Sequence, residues 1–195
     1  SQTGSLPVNI KVVLEGEEEV GSANLDDFIK ANKDLLKADV VVISDSPMFD
    51  RDVPSLCYGL RGLAYFQIDV RGSKSALHSG SFGGALVNPA MALAQALAQM
   101  KDKSGRIRIP GFYDDVVALR DEERAEFAKL PFNEKRYRMD LGAPKLFGEA
   151  GYTTLERVWA RPTFEINGLL SGFTGGGAKT VLPAVAMAKV SMRLV

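Results

Sequence analysis

Residues 10–14, Ile-Lys-Val-Val-Leu, form an apolar and largely β-branched run that stops directly against Glu15-Gly16-Glu17-Glu18-Glu19-Val20-Gly21-Ser22. A buried strand that ends in consecutive carboxylates is costly to fold unless those charges are solvated, paired or bound to a cation. The run therefore asks for burial while the turn asks for an edge. The plain alternative for the run of Glu is a solvated acidic loop.

Residues 22–47 narrow the choice. Ser22 or Asn24 can cap a helix whose inward stripe is Leu25, Phe28, Ile29, Asn32, Leu35 and Leu36, with Asp26 and Asp27 in the favourable first turn. A second apolar run, residues 40–43, leads into Ser44-Asp45-Ser46-Pro47. Strand, helix, strand in this order implies two neighbouring parallel strands joined by a right-handed crossover. Their carboxyl ends share one edge, so Glu18, Glu19 and Asp45 are expected to converge on the crevice where open α/β sheets bind ligands. In such a turn one of Glu18 and Glu19 can bind a metal while the other acts as general base toward an activated water, with Asp45 as a further oxygen ligand.

The pattern changes after residues 54–62, where Pro, Gly and Cys interrupt it. Residues 63–71 alternate strictly, Ala64, Phe66, Ile68 and Val70 against Tyr65, Gln67, Asp69 and Arg71, which predicts a half-buried antiparallel strand and the start of a second domain. Asn88-Pro89 supplies a cap and a first helical position for an Ala- and Leu-rich helix to Lys101. Residues 106–160 read as a charged, Gly- and Pro-broken surface excursion, with an exposed helix over 114–129 and another over 154–160. Residues 163–169 are extended, 171–177 are glycine-rich, and 184–195 alternate as a last strand that stops without a turn, as expected of part of a larger protein. The predicted class is α/β with an α+β lid: a fragment of a parallel-sheet domain over residues 1–58, then a two-layer domain of antiparallel sheet and helices over 59–195, with an insertion at about 106–160.

Composition limits the function classes. The 24 basic and 24 acidic residues give net charge +0, which offers no electrostatic case for nucleic acid or an anionic membrane. No apolar run approaches the roughly 20 residues that span a bilayer, and Ser1-Gln2-Thr3-Gly4 lacks signal-peptide features, so a cytoplasmic protein is expected. Cys57, the single cysteine, excludes an internal disulfide and reads as a small buried side chain. His78 is the single histidine, whereas catalytic zinc sites usually draw on more than one imidazole, so part of any metal site must lie elsewhere.

Glu15-Gly16 with Glu18-Glu19 and Gly21-Ser22, Ile43-Ser44-Asp45, Tyr58-Gly59-Leu60-Arg61-Gly62, Leu77-His78-Ser79-Gly80, Ala178-Lys179-Thr180-Val181-Leu182-Pro183 and Arg193-Leu194-Val195 occur in one order along nearly the whole chain. This ordered set resembles the co-catalytic zinc metallopeptidases of the carnosinase and cytosolic nonspecific dipeptidase type. The resemblance implies hydrolysis of dipeptides by a metal-activated water, with Glu18 as general base and Glu19 and Asp45 as ligands to two zinc or manganese ions. It implies a lid from about Gly59 onward that forms a homodimer, His78 reaching the partner's active site to polarise the scissile carbonyl. Arg161 matches an arginine that holds the substrate carboxylate, and the loop containing Gly176, with Lys179 and Thr180, would line the same pocket. The family's His-x-Asp motif, bridging Asp and final ligand His have no counterpart here, so this chain alone is expected to be inactive. Two rivals remain: an N-acyl amino acid amidohydrolase of the same fold, and a dimerisation module without activity.

Overall fold

The structure, a computed structural model, describes residues 4–45 and 47–195; Ser46 and the first three residues, on which part of the signal-peptide expectation falls, lie outside the described residues. The chain divides into two compact units, Ser1–Cys57 and Tyr58–Val195.

In the first unit a single 3-10 turn, Glu18–Val20, carries the acidic cluster and ends at Gly21, whose φ of 95° is the left-handed conformation that glycine adopts without strain. The following helix is broken in two, α1 (Leu25–Ala31) and α2 (Lys33–Leu36). The break falls at Asn32, whose side-chain amide donates to the Phe28 carbonyl at 2.8 Å and competes with the backbone ladder. Asn24 stands at the N-cap of α1, but its side chain turns instead to the Glu17 carboxylate, at 2.8 and 3.0 Å. Glu17 is thus a structural acceptor and not a merely solvated neighbour.

The predicted pair of parallel strands is not formed: residues 10–14 and 40–43 belong to no strand, and Val12, Leu14, Val40, Val41 and Val42 are all exposed. The physical reason is cover. Parallel strands are stable when both faces are packed, and among the described residues of this unit none covers these exposed runs. Cys57, expected to be buried, is exposed.

The second unit is built on a three-stranded antiparallel sheet of β1 (Gly62–Arg71), β3 (Thr163–Ser171) and β5 (Val185–Leu194), in the order β1-β5-β3. The alternation of 63–71 and 184–195 is realised as a continuous ladder from Gly62↔Leu194 to Arg71↔Val185. β3 pairs with the other edge of β5 through a bulge between Ile166 and Gly168. A 12-residue helix, α4 (Pro89–Met100), packs on β5 and β1, its start fixed by the Asn88 side chain accepting the Ala90 N–H at 2.9 Å. Leu93 and Leu97 from α4, Ala186, Ala188 and Val190 from β5, Phe164 from β3 and Ile107 make the core. Small residues on β5 let α4 approach closely. Phe66, assigned to the inward face, is 53% exposed, because α4 covers the sheet only in part.

The excursion at 106–160 is more than decoration. Its helices are α5 (Asp121–Ala128), α6 (Glu134–Asp140) and α7 (Thr154–Trp159), shorter than the expected 114–129 span. Ile107, Glu149, Thr154, Leu155 and Glu156 are buried. Thr153 and Glu156 form a reciprocal cap on α7, and Glu156 also takes Arg124 at 2.8 Å. Two short elements complete the unit: β2 (Leu77–His78), followed at once by α3 (Ser79–Phe82), and β4 (Val181–Leu182), which pairs with β2.

Candidate active site

The pairing of β2 with β4 sets His78 opposite Val181 and brings together two segments about a hundred residues apart. The Ser79 N–H donates to the Thr180 carbonyl at 3.3 Å, and the Thr180 Oγ1 lies 3.0 Å from His78 Nε2. On the other side of the ring, Nδ1 accepts the Gly80 N–H at 3.1 Å. His78 and Thr180 are both exposed, so the polar groups of this pair face an approachable surface.

The preceding loop joins the same group. Lys179 places Nζ 5.5 Å from the centroid of the Phe173 ring, a cation–π contact. Phe173 folds over Gly175, where a Cβ would meet the end of the ring at 2.7 Å, so a larger residue there would push the exposed ring aside. Gly176 has nothing within 4 Å of where its Cβ would be, which leaves the crest of the loop open. Four of the expected residues, His78, Gly176, Lys179 and Thr180, therefore belong to one local arrangement of loop and short strand pair.

Arg161 is bonded differently. It is only 4% exposed, and it donates Nε to Glu149 Oε2 at 2.8 Å and a terminal nitrogen to Oε1 at 3.0 Å, a bidentate pair. The Tyr152 and Tyr113 rings lie 4.3 and 5.6 Å from its guanidinium carbon. Burial alone pulls Arg161 downward, but the hydrogen bonds and charge of Glu149, with smaller help from the two tyrosines, hold it above the ordinary arginine value. Arg106 donates to the same carboxylate at 3.2 Å. Arg161 thus commits its Nε and one terminal nitrogen, on one edge of the guanidinium, to an internal carboxylate, and at 4% exposure it is held inside the fold.

In the first unit Glu18 and Glu19 are exposed on consecutive positions of the 3-10 turn, where side chains diverge by about 120°. Asp45 is exposed at the end of the second extended run.

A family model for the peptidase dimerisation domain of M20 peptidases matches residues 58–195. The chain belongs to the M20 peptidase family. Among M20 relatives, human Beta-Ala-His dipeptidase is 36% identical over 192 residues, which are 97% of this chain and 38% of that protein. The Cys-Gly metallodipeptidase DUG1 of Candida albicans is 38% identical over 97% of this chain and 40% of its own length. Two solved structures agree: human carnosine dipeptidase 1 has TM-score 0.79 at 36% identity, covering all of this chain and 41% of that one, and the M20 metallo-carboxypeptidase Sso-CP2 of Sulfolobus solfataricus has TM-score 0.79 at 36% identity, covering 93% and 41%. The chain thus spans about two fifths of the length of these M20 relatives.

For an M20 chain the metal question is one of donors. Among the described residues no three His, Cys, Asp or Glu side chains gather into a set that could hold a metal ion. Glu19 and Asp45 are hard oxygen donors of the right type for divalent cations, but two carboxylates without an imidazole fit such a site only in part.

Two features escaped the sequence reading. Glu149 gave no local hint of its burial. Arg193 stands in the motif Arg193-Leu194-Val195, which by itself assigns it no role. The structure shows Arg61 held below the ordinary arginine value, by burial first and then by the charge of Arg193. These two guanidiniums at the β1–β5 end form a local excess of positive charge.

Proposed function

We propose that this chain supplies the catalytic carboxylates and the lid of a metal-dependent dipeptidase. The observation that carries this reading is the His78–Thr180 contact at 3.0 Å, which joins two motif residues distant in sequence into one polar surface. Glu18 is the general base that takes the proton of the attacking water, and Glu19 and Asp45 contribute oxygen ligands to two divalent ions, zinc or manganese. When bound, such ions polarise the carbonyl and acidify water. His78, from the lid of one subunit, donates to the carbonyl oxygen at the site of its partner as negative charge develops there. Lys179, Thr180 and the open backbone at Gly176 line the substrate pocket.

The carboxylate of the substrate is assigned to Arg193, with Arg61 beside it, in place of Arg161. This choice is supported by the pairing of Arg161 with Glu149 and by the mutual repulsion of Arg61 and Arg193, which an anion would relieve.

The remaining ligands would come from the rest of a protein as long as the relatives, so the 195 residues alone should hydrolyse no dipeptide. A reducing cytoplasm is the proposed compartment, consistent with one exposed cysteine; no helix among the described residues is long and apolar enough to cross a membrane. The test is a panel of dipeptides and N-acyl amino acids against the full-length protein with zinc or manganese. Dipeptide turnover that falls about 10²–10⁴-fold in Glu18→Gln is expected. Turnover of N-acyl amino acids alone would transfer the assignment to the amidohydrolase reading.

A further inference from the structure

His78 is the N-cap residue of α3, with φ −73° and ψ 120°. That position is normally taken by Ser, Thr, Asp or Asn, whose side-chain oxygen accepts a backbone N–H. Here the acceptor is an imidazole nitrogen: Nδ1 receives the Gly80 N–H at 3.1 Å. A backbone N–H only donates, so Nδ1 must present its lone pair, and in a neutral imidazole the proton then resides on Nε2. Nε2 lies 3.0 Å from the Thr180 hydroxyl, which can accept it. The Ser81 hydroxyl, 3.5 Å from Nδ1, is at the outer limit of a bond.

The ring also rests on Gly80 sterically. A Cβ at residue 80 would stand 3.0 Å from Cε1 and 3.2 Å from Nδ1 of His78, closer than most real contacts. The same glycine therefore supplies the donor and the space.

We propose that Gly80 is a positioning residue: its N–H and its missing side chain hold the His78 imidazole in the tautomer with the proton on Nε2. The consequence is chemical. With Nε2 protonated and Nδ1 accepting from Gly80, the ring presents a donor at Nε2 to the approachable surface. Thr180 is the resting acceptor of that proton, and a ligand oxygen arriving at the surface exchanges with its hydroxyl. Given the dipeptidase reading above, on which only the catalytic meaning rests, His78 is a donor to the developing oxyanion and not a base.

The single histidine makes the test direct, since ¹⁵N-histidine labels one imidazole in the 195-residue chain. In mildly alkaline buffer, ring ¹⁵N shifts should report a protonated Nε2 and a bare Nδ1, with a coupling across the hydrogen bond to the Gly80 amide nitrogen. Gly80→Pro removes the N–H and also places a ring where a Cβ presses on His78, so it withdraws both supports together. In that variant the coupling should vanish and the Nδ1-protonated tautomer should appear, while the amide signals of the β1–β5 ladder stay in place. Wild-type chain with a protonated Nδ1, or a tautomer ratio unchanged in Gly80→Pro, would overturn the proposal. Neither result depends on turnover, so a full-length protein inactive on dipeptides would remove the functional reading and leave the tautomer assignment standing.

Discussion

Glu149 accepts from Arg161 on both oxygens and from Arg106 on one, and its backbone carbonyl takes Arg157 Nε at 2.9 Å. Removing its charge leaves Arg161 buried without a counter-ion, which costs far more than the pair's net worth. Glu149→Gln should lower stability by about 3–5 kcal/mol, read from the urea midpoint. Arg106, half exposed, should matter much less when truncated. Asp102 differs in kind. Hydrogen bonds from the Ser104 hydroxyl and the Arg106 N–H hold its carboxyl below the ordinary aspartate value. A depressed folded value means the contribution is present above the unfolded pKa and is lost as pH falls through the folded one. Asp102→Ala should therefore be less stable than the parent at neutral pH and should converge with it under strongly acidic conditions, in denaturation curves measured at both. At this scale the sequence exposed the residues but not their partners: Arg161 was recognisable in Arg161-Pro162-Thr163, whereas its engagement by Glu149 is decided by how the excursion packs.

Among the elements, those whose signals are local were legible. Asn88-Pro89 announced α4, and Asn88→Ala should cost about 1 kcal/mol through loss of the cap on the Ala90 N–H, measured by the same midpoint. Strict alternation located β1 and β5, because a period of two survives whatever the partner strand. The apolar runs at 10–14 and 40–43 look like strands in the sequence and form none, since pairing depends on cover that no short window contains. Amide exchange should reflect this difference. The amides of 40–43 should exchange rapidly, and those of β5 between Ala186 and Val190, paired on both edges and buried, should be the slowest of the chain.

On the scale of the whole molecule, β1 and β3 each present one strand edge without a partner among the described residues, and Phe66 on β1 and Ile166 and Leu169 on β3 are exposed. Unpaired edges and apolar faces favour association. With the match to a dimerisation domain over residues 58–195, the full-length protein should sediment as a dimer, and a concentration-independent monomer would remove the trans role of His78. The short β2–β4 pairing has a kinetic consequence as well. It closes a loop of about a hundred residues, and β1 meets β5 across a still longer separation. Contacts of such high order form late and slowly. A ribosome that has released β1, β2 and α4 has produced a chain in which His78 has no Thr180 to meet, and the donor surface can assemble only after β4 has emerged.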